Sequence, residues 1–363
     1  MKTETENNIS PFSMQISDII EKLHRERTAT PDEIYYLLQH CDETHLAFIN
    51  EKAREVARIH FGNKIYIRGL IEVGNCCRND CYYCGIRKSN RHIERYRLDK
   101  ETILACCEEG YRLGFRTLVL QGGEEGSRSD NFIIDTVSSI RKAFPEVAIT
   151  LSLGEKPTST YEAFFQAGAN RYLLRHETHN EAHYRRLHPQ EMSLANRLRC
   201  LNDLKRIGFQ TGTGTMVGSP GQTLDNLLED ILFIQELQPE MIGIGPYLPH
   251  HDTPFAQMPP GNMEQTLLLL SIFRLMHPQA LIPSTTALAT LAENGRERGI
   301  LAGANVVMPN LSPVFQRSKY TLYDNKASMG AEAAEGLLLL EQKLKKIGYT
   351  IDMGRGDHPT KIK

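Results

Sequence analysis

The chain has 363 residues, 40% of them hydrophobic and 24% charged, with a formal net charge of −2, enough apolar material for one large globular domain or two ordinary ones. That balance gives no reason to expect a nucleic-acid partner, which usually demands a basic surplus. The longest apolar runs, such as LLLLSIF at 267–273, fall far short of the roughly 20 residues a membrane span requires. The opening MKTETENNISPFSM is polar and lacks the apolar stretch of a secretory signal. The expectation is a cytoplasmic protein with reduced cysteines, in which clustered sulfur points to a metal rather than to disulfides.

Up to about residue 59, PDEIYYLLQH and DETHLAFINEKAREVARI space their apolar residues at helical intervals, which predicts an N-terminal helical segment over 1–60. Strand-like runs follow at 64–73, 117–123, 148–154, 171–177, 210–218, 241–248, 281–287 and 305–310. Between most of them lies an amphipathic stretch of helix length, such as DKETILACCEEGYRLG or TLDNLLEDILFIQEL, often closed by glycine. Alternation of this kind builds parallel βαβ units. About eight units in roughly 250 residues match an α/β fold of the (β/α)8 TIM-barrel type over 61–325, with a doubly wound open sheet as the structural alternative. The last helical pattern, at 329–348, is expected to pack on the outside, within a C-terminal helix and tail over 326–363.

In a barrel, chemistry sits at the carboxyl ends of the strands. The stretch CCRNDCYYC at 76–84 follows the first strand and holds four of the chain's eight cysteines. Two registers are open. Cys77, Cys81 and Cys84 make C-x3-C-x2-C, while Cys76, Cys81 and Cys84 make the C-x4-C-x2-C of plant-type ferredoxins, which needs a fourth cysteine. Cys106 and Cys107 lie in a helical pattern where cysteine is usually a small buried hydrophobe. A zinc site completed by His92 is a further option. Three thiolates without an evident fourth favour an iron–sulfur cube with one open metal position.

The C-x3-C-x2-C with an aromatic residue, Tyr83, before its last cysteine resembles the signature of the radical S-adenosylmethionine (SAM) superfamily. RNDCYYCGIR, LVLQGGEE, ITLSLGE, RYLLRHET, NRLRCL, TGTGTMVGSPGQT, MIGIGPYLPHHDTP and GANVVMPNLSP together resemble the HydE family, the radical SAM maturases of [FeFe]-hydrogenase, from about residue 60 to 323. The resemblance implies a complete barrel with a [4Fe–4S] cluster at its mouth, SAM as second cofactor, and a long internal cavity. It makes Cys77, Cys81 and Cys84 the cluster ligands and Cys76 a neighbour. It implies a small-molecule or organometallic substrate, an iron–cysteine complex bearing CO and cyanide, together with an electron donor such as ferredoxin or flavodoxin and other hydrogenase maturases as partners.

SAM bound to an open iron needs polar backbone and a carboxylate near its amine, and a cation near its carboxylate. Gly122 and Gly123 let the chain turn and approach a ligand closely, and Glu124 adds the carboxylate. Alternation along RYLLRHE sends Arg175 and Glu177 to one side and His176 to the other. By resemblance Glu177 takes the ribose hydroxyls and Arg197 the SAM carboxylate. The glycine-rich stretch at 212–221 lacks the Lys-Ser/Thr of a phosphate loop. Its open backbone, with Met216 as apolar contact, suits adenine, and Thr223 reads as the cap of the next helix.

The inferred cavity is lined by Gln121, Thr150, Arg171, Arg175, Met241, Thr285, Thr286, Met308, Tyr320 and Tyr323, too polar a group for core filling alone. Arg171 is the expected charge partner of an anionic substrate. His250 and His251 point apart if extended and are not expected to share an ion. His176, His179 and His183 read as ordinary helix surface, and the basic run at 87–97 as a solvated loop. No cysteine follows Cys200, so no second cluster is expected near the C-terminus. A lysine mutase resembling methylornithine synthase and a non-catalytic iron–sulfur scaffold are the alternative functions.

Overall fold

The protein is described by a computed structural model covering residues 15–361, so the polar opening stretch read as lacking a signal lies outside the described residues. Three helices come first: α1 (Ile16–Glu26), α2 (Pro31–His40) and α3 (Glu43–Phe61). Their limits are written locally. Thr30 and Glu33 form a capping box at α2, with Pro31 as its first residue. Asp42 caps α3, and Gly62 at φ 64° ends it.

The first barrel strand runs as β1 (Lys64–Ile67) and β2 (Gly69–Gly74). Then α4 (Lys100–Arg112), β3 (Thr117–Gly122), α5 (Ser127–Ala143), β4 (Ala148–Ser152), α6 (Thr158–Gln166) and β5 (Arg171–Leu173) alternate, followed by α7 (Glu181–Leu187) and α8 (Leu194–Ile207). The fifth position is β6 (Gln210–Thr213), continued by β7 (Met216–Val217) and followed by α9 (Leu224–Leu237). The sixth is β8 (Met241–Ile242), continued by β9 (Gly245–Pro246) and followed by α10 (Met263–Met276). The seventh is reduced to bridges at Leu281 and Pro283, after which α11 (Thr286–Leu291) and α12 (Gly295–Leu301) lead to β10 (Val306–Val307).

All neighbours pair in parallel in the order β2-β3-β4-β5-β6-β8. Met241 bridges to Leu281 and Pro283 to Val306, and β10 pairs with β1 through Tyr66 and Val306. The ring therefore closes, which decides for the barrel over the open sheet. Leu118, Leu120, Ile149 and Leu151 pack outward with Ile103, Val137 and Phe164 of the helices. That leaves Thr117, Val119, Gln121 and Thr150 facing inward by strand alternation. The N-terminal helices bury Ile20, Leu37, Ile49 and Val56 in a second cluster shared with α9 and α10.

After α13 (Val314–Arg317) and α14 (Leu337–Lys346), a last strand, β11 (Thr350–Asp352), pairs with β1. Residues 355–358 then cross the amino-terminal end of the barrel. Arg171 donates to the Arg355 carbonyl and to Asp357, both at 2.7 Å, and Gln210 donates to the same carboxylate at 2.7 Å. This corrects the expectation for Arg171. It is the first residue of β5, at the end opposite the cysteine loop, and its charge is taken up by the tail rather than offered to a substrate.

Candidate functional site

The cysteine loop leaves the carboxyl end of β2 and is held by polar staples. Arg95 donates to the carbonyls of Asn75, Ile86, Arg87 and Asn90 at 2.6–2.9 Å. Arg87 grips Asp80 with two nitrogens, at 2.7 and 2.5 Å. The basic run is therefore only partly solvated, because these two arginines are built into the loop. A Cβ on Gly123 would stand 2.1 Å from the Cys76 carbonyl oxygen; the turn after β3 touches the loop, and only glycine fits there.

Within the loop the cysteines divide. Burial raises the Cys77, Cys81 and Cys84 thiols, Cys84 to about 12, and repulsion from Cys77 and Cys84 adds to the rise at Cys81. The three lie close enough for their charges to interact. Backbone N–H groups of Asn79 and Ile86 point at Cys77 and Cys84 and favour their thiolates. The Cys76 thiol instead donates to the Tyr96 carbonyl at 3.7 Å, beside Arg97 and Glu125.

Among the described residues, only His250, His251 and Asp324 bring three ligand atoms within 4.8 Å of one another. The three thiols stand wider than the roughly 3.8 Å between sulfurs that share one zinc ion with bonds of about 2.3 Å. His92 is exposed and pairs with Asp252 at 2.8 Å. The donor set thus fits a multi-iron cluster and not the zinc site considered from the sequence.

Beside the thiols, Tyr83 shares a small apolar cluster with Leu187, Met216 and Tyr247, and its hydroxyl meets His188 Nε2 at 3.2 Å. Glu124 is buried and held by Arg78 at 2.7 Å and by the Glu155 amide at 2.7 Å. Arg197 is buried with Glu155, Nε to Oε1 2.5 Å, and donates to the Arg175 carbonyl. Glu155 and Asn196, given no role in the sequence reading, line with Arg78 and Glu124 a cavity of about 790 Å³ beside the loop.

Arg175 and Glu177, beyond the end of β5, pair at 3.0 Å. Glu177 adopts φ 69°, a left-handed conformation uncommon outside glycine, and is pinned by Gly214 and Thr215. His176 is not helix surface: it is fully buried between Thr213 and Asp230. His183 is buried against Thr178.

Inside the barrel, Gln121 donates to the Tyr320 hydroxyl at 3.4 Å. Lys326 lies over the Tyr320 ring and pairs with the buried Glu72. Thr150 and Thr285 bury hydroxyls that have no hydrogen-bond partner among the described residues. Thr286 opens α11, Tyr323 lies near Arg175 and Thr290, and Met308 packs with Met241.

A further interior residue escaped the sequence reading. Arg68, 4% exposed, donates from Nη1 to the Met241 sulfur at 3.3 Å, while its Nε and Nη2 have no partner among the described residues. Arg171 and Asp357 are its charged neighbours. Its signal in the sequence is a charged residue between the apolar runs IYI and GLI of the first strand.

The sequence pattern of the Radical SAM superfamily matches residues 71–234. The [FeFe] hydrogenase maturase subunit HydE of Thermotoga maritima is 43% identical over 309 residues, 85% of this chain and 88% of the relative. The chain belongs to the HydE family of radical SAM enzymes. A 3-methylornithine synthase of Methanosarcina acetivorans is 26% identical over 79% of this chain and 81% of its own length. Two solved structures share the fold: methylornithine synthase, with TM-score 0.80 and 23% identity over 92% of this chain and 97% of that one, and the maturase HydG, with TM-score 0.78 and 21% identity over 93% and 76%. Enzymes of the radical SAM superfamily use a [4Fe–4S] cluster and SAM, and this HydE-family chain has both as cofactors. No helix among the described residues is long and apolar enough to cross a membrane.

Proposed function

We propose that this protein is a maturase acting in assembly of the [FeFe]-hydrogenase di-iron site, with an anionic iron–cysteine complex bearing CO and cyanide as its substrate. Cys77, Cys81 and Cys84 hold the cluster, and the polar groups around Glu124, Glu155, Glu177 and Arg197, with Tyr83 and Met216, receive SAM. When bound, the two cofactors supply reductive cleavage of SAM to a 5′-deoxyadenosyl radical. The barrel excludes water from the space beneath.

The likeness to the HydE of Thermotoga maritima carries this reading, and the Arg68 guanidinium, whose Nε and Nη2 have no partner among the described residues, adds a buried positive charge deep in the barrel. The single carboxylate of Asp357 is taken up by Arg171 and Arg355 and reaches Arg68 only through space, so the lower barrel holds a buried positive excess that an anion would satisfy. Lysine would bring an ε-ammonium in need of a carboxylate. The interior acids Glu72, Glu177 and Asp357 are already paired with Lys326, Arg175 and Arg171.

Lys88 and Arg91 are exposed on the cysteine-loop face. They give an acidic electron donor such as ferredoxin or flavodoxin a complementary rim. Other hydrogenase maturases are the expected source of the substrate.

The test is anaerobic incubation of reconstituted protein with reductant and SAM. Methionine and 5′-deoxyadenosine are the expected products, and their absence would leave the scaffold reading. Adding lysine should give no 3-methylornithine; its formation would replace the maturase reading with the mutase.

A further inference from the structure

We infer that His250, His251 and Asp324 form a site for one divalent transition-metal ion, separate from the cysteine cluster. As adjacent residues of an extended chain the two histidines would diverge, and the sequence reading set them aside for that reason. The chain is not extended there. His251 opens a turn, and the two imidazoles stack with centroids 4.5 Å apart and planes 17° from parallel, so the two rings lie side by side instead of diverging. His251 Nδ1 lies 2.6 Å from Asp324 Oδ1, and His250 Nε2 lies 4.0 Å from the same oxygen. One ligand atom from each residue falls within 4.8 Å of the others. Bonds of about 2.0–2.2 Å to a shared ion require the His250 ring to move inward and the His251 Nδ1–Asp324 Oδ1 hydrogen bond, 2.6 Å long, to open and exchange its proton for the ion.

The surroundings support the assignment. Asp252 Oδ2 stands 3.2 Å from His251 Nε2, the outer carboxylate that orients a ligating imidazole, and it also holds His92 Nδ1 at 2.8 Å. His250 is buried, with Nε2 3.4 Å from Thr321 Oγ1, while its Nδ1 accepts the Asp252 amide at 3.1 Å. An ion at Nε2 places the ring proton on Nδ1, so binding turns the ring away from the Asp252 amide and gives up that 3.1 Å hydrogen bond together with the Thr321 contact. His251 is 70% exposed and Asp324 35%, leaving room for water to complete a tetrahedron. Two imidazoles and one carboxylate select zinc, nickel or cobalt over calcium or magnesium, which take sets made of oxygen.

The site ties the turn after β9 to the segment carrying Tyr320 and Tyr323. That segment also gives the Leu322 carbonyl to the Gly85 amide at 2.9 Å, directly after Cys84. A bound ion therefore clamps the rim of the barrel onto the cysteine loop.

The experiment titrates cluster-loaded protein anaerobically with Zn²⁺ against a chromophoric chelator, using wild type, His251→Ala and Asp324→Asn. Loading the cluster first keeps the thiols occupied. A single Zn²⁺ per chain is expected in the wild type, with affinity weaker by about tenfold or more in both variants and iron content unchanged. Equal affinity in all three proteins, or no saturable site in the wild type, overturns the inference. If a variant loses iron, anomalous scattering at the zinc edge from soaked wild-type crystals decides. A peak between the three side chains supports the site, and no peak there overturns it.

Discussion

Cys76 and Cys77 are neighbours in the chain, yet one thiol turns to the Tyr96 carbonyl while the other lies within reach of the charges of Cys81 and Cys84. Replacing Cys77, Cys81 or Cys84 with alanine is therefore expected to abolish the SAM-responsive EPR signal of the reduced cluster, and Cys76→Ala to keep it. Retention in Cys77→Ala with loss in Cys76→Ala would reverse the register. Arg68 yields a prediction with two opposing readouts. An unpaired buried guanidinium is a burden on the fold, and replacing buried charge with an apolar side chain of similar length is often neutral or stabilising. A charge-assisted contact to an anion is worth about 1.5–3 kcal/mol, or roughly ten- to a hundredfold. Arg68→Met should thus hold or raise the melting temperature, keep the SAM cleavage product, and lower hydrogenase maturation by about tenfold or more. A fall in stability with normal maturation would remove Arg68 from the substrate site.

At the scale of elements, the cysteine loop depends on one guanidinium that satisfies four carbonyls. No other residue type spans that set, so Arg95→Ala is expected to cut reconstituted iron well below the about four atoms of a single cube while far-UV circular dichroism stays the same. The exposed Arg91→Ala serves as control and should load normally; equal loading in both would deny Arg95 its role.

The elements themselves were largely legible, because barrel strands and helices carry their periodicity locally. Thr223, read as a cap, accepts the Asn226 amide at the start of α9. What stayed hidden depends on partners distant in the chain. Glu72 meets Lys326 across 254 residues, and Arg171 meets Asp357 across 186. No window-based reading joins such pairs, so Arg171 read as a ligand group and Arg68 was passed over. The histidines of PHHDTP differ for another reason: read as extended, they sit at a turn.

The whole molecule is closed from below by its own C-terminus. β11 extends the sheet beside β1, and Asp357 brings the negative charge that Arg171 lacks within the barrel wall. Burial pushes the Asp357 carboxyl up, but the Arg355 hydrogen bond, the Arg171 charge and Gln210 outweigh it and hold the group well below the usual carboxylate range. A carboxylate depressed in the folded state stabilises above its unfolded pKa of about 3.9, and that stabilisation is lost as pH falls through the lower folded value. Asp357→Asn removes the charge and leaves Arg171 buried beside Arg68, and breaking such a pair costs about 3 kcal/mol. Urea unfolding at neutral pH should therefore show the variant less stable by about that amount, with the gap to wild type narrowing as pH drops below about 4. The cysteine loop lies at the opposite end of the barrel, so iron content and SAM cleavage by the folded variant should match wild type. A gap that is constant with pH would mean that Asp357 acts through packing alone and that the tail does not neutralise the barrel floor.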